Sequence, residues 1–133
     1  MIPTLTPGLK AEARTVVTKE NVATVFRSGP VEVFATPALV ALMEHASAMA
    51  VQDHLPEGMV TVGAAITVRH LAATPVGMEV WARAELVEVE GRRLVFRVEA
   101  WDEEEKIGEG SHERYIVAKE RFMEKAARKR AGS

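Results

Sequence analysis

A chain of 133 residues, 47% hydrophobic and 27% charged, has room for one core but not two, and is read as a single domain over residues 1–133. Its formal net charge of -2 gives no general attraction for nucleic acid or an anionic membrane, so neither partner is expected. The chain has no cysteine, which excludes disulfides, thiolate metal sites and a cysteine nucleophile, so a nucleophile must be oxygen or water.

Residues 1–8 carry neither a basic region nor an apolar stretch of leader type, and no run approaches the length of a membrane span. A cytoplasmic location is the expectation. Asn21 and Gln52 are the only side-chain amides, and with many Glu, Lys and Arg the composition leans toward a thermophile.

Residues 11–17 read as extended. Thr18-Lys19-Glu20-Asn21 resembles the capped start of a short helix running toward Phe26, stopped by Ser28-Gly29-Pro30. After an extended stretch over 31–35, Thr36-Pro37 predicts an N-cap followed by proline at the first helical position. Over residues 38–51 the helix is apolar all round except for Glu44, His45 and Ser47, so it must be buried on most sides, with strands as the available neighbours. Pro56 and Gly58 mark its end.

Period two then takes over. In residues 59–70, Val62, Ala64, Ile66, Val68 and His70 share one parity, opposite Thr61, Thr67 and Arg69. In residues 77–89, Met78, Val80, Ala82, Ala84 and Leu86 oppose Glu79, Arg83 and Glu85. A turn at Glu90-Gly91 leads to Leu94, Phe96, Val98 and Ala100 as a hairpin partner. A second turn at 102–106 opens a last strand over 107–118, where Gly108 and Gly110 suit close backbone approach or a bend. The expected class is α+β: an antiparallel sheet wrapped around one long central helix, with a basic helical tail at about 119–131.

Three polar residues could carry chemistry. Glu44 sits mid-helix among apolar and small neighbours, where a carboxylate needs a partner, a proton or a function; it could equally be bonded at a subunit interface or reach solvent through a gap in the sheet. His70 has the parity of the covered face, where a lone histidine is more often a satisfied core residue, but a carboxylate and an imidazole can satisfy each other and exchange a proton near neutral pH. Thr36 has a sufficient structural task as an N-cap, accepting from the amide of Ala38 or Leu39; the same helix end offers those amides, with a loop around Gly63, to a developing oxyanion. Eight residues at about 1.5 Å rise set Thr36 and Glu44 roughly 12 Å apart, so either the helix starts later than Thr36-Pro37 implies or the two meet through His70, through substrate or across a two-fold dimer, which would also cover a sheet edge. Glu44, His45 and His54 do not have metal-ligand spacing, and no metal is expected.

Val33-Phe34-Ala35-Thr36-Pro37, then Leu42-Met43-Glu44, then Val68 to Gly77 with its His70-Leu71-Ala72-Ala73-Thr74-Pro75 core, resemble the fluoroacetyl-CoA thioesterase family of hot-dog proteins over most of the chain. Thr36, Glu44 and His70 match that pattern's threonine, glutamate and histidine, Gly63 matches a glycine of the family site, and Gly110-Ser111-His112-Glu113-Arg114 resembles its last strand. The resemblance implies a hot-dog fold, hydrolysis of a small acyl-CoA with catalytic Thr36, Glu44 and His70, no cofactor beyond the coenzyme A of the substrate, and a homodimer or a dimer of such dimers. The aromatic gate that the specialised enzyme sets ahead of its threonine has no clear counterpart, Pro30 standing nearby, so the acyl group is left open. The basic tail reads as a solvated helix, or as cations for the phosphates of coenzyme A. Two other readings are a non-catalytic acyl-CoA binder or sensor and a hot-dog hydratase.

Overall fold

The computed structural model describes residues 5–130 and 132; residues 1–4 of the stretch read for a leader and residue 131 of the expected tail lie outside them. Five strands, β1 (Lys10–Val16), β2 (Met59–His70), β3 (Glu79–Glu90), β4 (Arg93–Asp102) and β5 (Lys106–Ala118), form one sheet in the order β1-β3-β4-β5-β2, every pairing antiparallel. The sequence-consecutive strands β1 and β2 are therefore the two edges. Between them the chain carries the helix α1 (Thr36–Gln52) across one face of the sheet, where it meets all five strands. A second helix, α2 (Lys119–Arg130), follows β5 and has no buried residue.

The core is built from the two periodicities read in the sequence. Leu39, Met43, Ala46, Ala50 and Val51 recur at helical spacing on the sheet side of α1, and alternate residues Val80, Ala82, Ala84, Leu86 and Leu94, Phe96, Val98, Ala100 face them from β3 and β4. Each large side chain so buried contributes about 1.5–3 kcal/mol. Close approach to the helix explains Gly108: a Cβ there would lie 2.9 Å from Leu39 Cδ2. The one buried hydroxyl on α1, Ser47, donates to the Met43 carbonyl at 2.9 Å.

Four expectations are corrected. The short helix over 18–26 is a series of turns. Local bonds win there: Asn21 Oδ1 accepts from the Thr18 amide at 2.8 Å, Thr18 Oγ1 accepts from the Glu20 amide at 3.1 Å, and Val22 bridges to Phe34. The cap of α1 is Ala35, not Thr36: Ala35 is extended (φ -75°, ψ 143°), its carbonyl accepts from Leu39, and Thr36 is the first helical residue. The apolar helix is covered by the sheet on one side only, with Ala41 exposed and Met49 45% exposed on the other. The single parity assigned to β2 is broken by a bulge between Gly63 and Ala65, so Thr61 and Gly63 face inward before it and Ile66, Val68 and His70 after it.

Candidate active site

Two polar clusters lie on the helix side of the sheet. The first joins the start of α1 to the end of β2, where Thr36 Oγ1 and His70 Nδ1 are 2.7 Å apart. With Nδ1 unprotonated the hydroxyl donates to the ring; with it protonated the ring donates to the hydroxyl oxygen. Burial pushes the His70 imidazole below its ordinary value, opposed by the Ala72 backbone, yet Nε2 is buried without a partner in hydrogen-bond geometry. The pair opens on a cavity of about 370 Å³ with Val31, Phe34 and Leu71 among its walls.

That wall is held from behind. The Thr74 hydroxyl donates to Asp102 Oδ2 at 2.8 Å, the Thr74 carbonyl accepts from Phe34, and Leu71 donates to the Ile107 carbonyl at 2.7 Å. Burial raises the Asp102 carboxyl, but bonds from the Glu104 amide, Thr74 and the Glu105 amide together hold it below its usual range. The loop after His70 is thereby pinned to the β4–β5 hairpin, which fixes the imidazole's position.

The second cluster is denser and lies one strand bulge away. Arg114, 8% exposed, donates from Nε to Thr61 Oγ1 and from Nη2 to the Thr61 carbonyl, both at 2.8 Å. Its Nη1 lies 3.2 Å from His112 Nε2 and 3.8 Å from Glu44 Oε2. His112 Nδ1 meets the Ala65 carbonyl at 2.8 Å, so the ring is the neutral tautomer that donates to Ala65 and accepts from Arg114. Burial lowers the His112 imidazole first of all, and it lowers the Arg114 guanidinium against the pull of Glu44. The Glu44 side chain is 40% exposed and opens, with Gly63 and the bulge, on a recess of about 260 Å³ against edge strand β2.

Gly63 is small for a physical reason: a Cβ there would stand 2.6 Å from Glu44 Oε2. Glu44 therefore belongs with Gly63, His112 and Arg114, not with His70 as the sequence suggested, and among the described residues no hydrogen bond or ion pair joins it to Thr36 or His70. Of the amides expected to serve an oxyanion, that of Leu39 is taken by the Ala35 carbonyl at 2.9 Å. Pro37 has no N–H, so those of Thr36 and Ala38 are the ones without an intrahelical acceptor. His112 and Arg114 entered the sequence reading only through the resemblance. Their signal was the parity they share with Gly108 and Ile116, the buried side of β5. No three His, Asp or Glu side chains among the described residues gather as a metal site.

This sheet, wrapped on a single helix with polar residues at the helix start and centre, defines a hot-dog-fold thioesterase. The profile of the "Fluoroacetyl-CoA-specific thioesterase" family matches residues 17–120, and the chain belongs to that family. It is 48% identical over 98 residues to the fluoroacetyl-CoA thioesterase of Streptantibioticus cattleyicolor, covering 74% of this chain and 70% of that protein. A crystal structure of a fluoroacetyl-CoA-specific thioesterase, solved as a point mutant, superposes with a TM-score of 0.87 at 39% identity, over 95% of this chain and 98% of the other. A Thermus thermophilus member of the thioesterase superfamily gives 0.88 at 34% identity, over 96% and 95%. The protein is a thioester hydrolase, and its reaction is the hydrolysis of an acyl-CoA. No helix among the described residues is long and apolar enough to cross a membrane.

Proposed function

We propose that the protein hydrolyses a small acyl-CoA in a site assembled from both clusters, with catalytic Thr36, Glu44 and His70, and that a homodimer brings the clusters together. The observation that carries this reading is the 2.7 Å Thr36–His70 contact at the mouth of an apolar cavity of about 370 Å³, a volume suited to a short acyl group. The first amides of α1 receive the thioester oxygen, where the helix dipole favours a developing negative charge. His70 Nδ1 accepts from the Thr36 hydroxyl, and the ring gives its Nε2 proton to the thiolate as the C–S bond breaks, that proton being replaced from the water that completes hydrolysis. Glu44 acts on the thioester carbon, directly or through water.

One feature supports assembly across a two-fold axis. Edge strand β2 leaves Gly63, Ala64 and Ala65 exposed beside Glu44. Pairing the β2 edges of two copies covers that edge and brings the Glu44 of one toward the Thr36–His70 pair of the other. The test is thiol release from a panel of short and aromatic acyl-CoAs by the wild type, Glu44→Gln, Thr36→Ala and His70→Ala. Turnover of a short acyl-CoA, reduced in all three variants, is expected. No hydrolysis of any member, or full activity in Glu44→Gln, contradicts the reading.

A further inference from the structure

Across the outer face of the sheet, most cations are neutralised by carboxylates: Arg14 by Glu12 and Glu79, Arg93 by Glu88 and Glu113, Arg97 by Glu85, and Lys106 by Glu99 and Glu109. One cavity departs from this rule. It encloses about 350 Å³ between the end of β5 and α2, walled by Arg92, Tyr115, Arg121, Phe122 and Lys125. Among the described residues none of these three cations has a carboxylate partner, and Arg92 donates only to the Ile116 carbonyl, at 3.2 Å. Tyr115 and Phe122 remain 37% and 43% exposed there. The helix behind them carries six cations and two carboxylates, a formal +4 in a chain whose total is -2.

Three cations without a carboxylate partner among the described residues, beside two exposed rings, form a recess with the chemistry to hold a phosphorylated nucleotide: phosphates take charged donors, and a base stacks on an aromatic face. We propose that this cavity binds the adenosine-phosphate end of the coenzyme A thioester, an inference that rests on the acyl-CoA reading above. Within one chain the cavity is distant from the thioester site. Met59 pairs with Ala118 beside the cavity and His70 pairs with Gly108 at the other end of β2, about 36 Å away along the strand. Antiparallel pairing of two β2 edges sets the Met59 end of one copy beside the His70 end of the other. Each nucleotide cavity therefore serves the partner's thioester.

The variant Arg121→Glu/Lys125→Glu reverses two charges on a helix with no buried residue, so its thermal midpoint should stay that of the wild type. Its substrates are the fastest acyl-CoA of the panel and the pantetheine thioester of the same acid, which lacks the nucleotide. The expected result is a KM for the CoA thioester raised about tenfold or more, with the pantetheine thioester unaffected. Calorimetry with adenosine 3′,5′-bisphosphate should show binding to the wild type and none to the variant. An unchanged KM for the CoA thioester, an equal loss on both thioesters, or ATP binding here without any change in that KM overturns the proposal. If neither thioester is hydrolysed, the catalytic reading fails, while adenosine 3′,5′-bisphosphate binding that the variant loses still supports the cavity; no such binding overturns it.

Discussion

The two polar clusters are built in opposite ways. Around Arg114 nearly every donor and acceptor is matched inside the chain: Thr61 supplies a hydroxyl and a carbonyl, His112 an acceptor nitrogen, and Ala65 a carbonyl for the other side of that ring. Thr36 and His70 bond to each other, with the Ala72 backbone beside the ring, and leave Nε2 of the ring buried without a partner in hydrogen-bond geometry. A satisfied network fixes geometry, whereas an unsatisfied one leaves a site for something that arrives. The Arg114 network thus serves as the rigid seat for Gly63 and the bulge against which Glu44 rests, and in the proposed reading the Thr36–His70 pair is the half that waits for substrate.

Replacing one member of each cluster should separate these roles. Arg114→Met strips partners from Thr61 and His112 in a buried setting, and it should cost about 2–3 kcal/mol in denaturant unfolding besides impairing turnover. Thr36→Ala removes a hydroxyl that caps nothing, so kcat/KM should fall about 10²-fold with the unfolding midpoint nearly unmoved. Equal stability losses in the two variants would erase the contrast.

Gly63→Ala gives a finer test. The added methyl meets the end of a movable side chain, so the fold should tolerate it within about 1 kcal/mol, while displacement of the Glu44 carboxylate should lower kcat about tenfold. A variant as active as wild type would mean that the carboxylate's present position is unimportant.

The smallest expected effect is with pH. Both His70 and His112 have lowered values, burial being the main cause. The unfolded chain, with ordinary imidazoles near 6.5, therefore binds more protons, so stability should fall as pH drops below that value and level off beneath the folded-state values. The acid limb of kcat/KM should likewise inflect below 6.5, since a protonated His70 cannot accept from Thr36. An inflection above 6.5, or a thermal midpoint that rises on acidification, would contradict these burial effects.

Much of the fold was legible because alternation is a local signal. The buried parity of β3 and β4 follows from Val80 to Leu86 and Leu94 to Ala100 directly, and the end of β2 at His70 from the turn residues after it. The bulge beside Gly63 was not legible, because Gly63, Ala64 and Ala65 carry too little side chain to mark a face. Treating β2 as unbroken put His70 on the correct side but Thr61 on the wrong one. Thr36, Glu44 and His70 stood out as polar residues in apolar surroundings, yet the pairing of Thr36 with His70, 34 positions apart, depends on where β2 ends beneath the helix. Arg114 entered the reading only through the resemblance; it lies opposite Gly63 on the buried side of β5.

In the proposed dimer a Thr36–His70 pair and a Glu44 cluster that have no mutual bond within one chain complete one another across the two-fold axis. Mixing Thr36→Ala with Glu44→Gln under subunit exchange tests it most directly. If the halves combine between copies, each mixed dimer holds one site with Thr36, His70 and Glu44 all intact, and activity should return to about a quarter of the wild-type level from two nearly inactive parents. If each chain supplies its own Glu44, every site in the mixture carries a lesion, and activity no higher than the mean of the two parents would contradict the account.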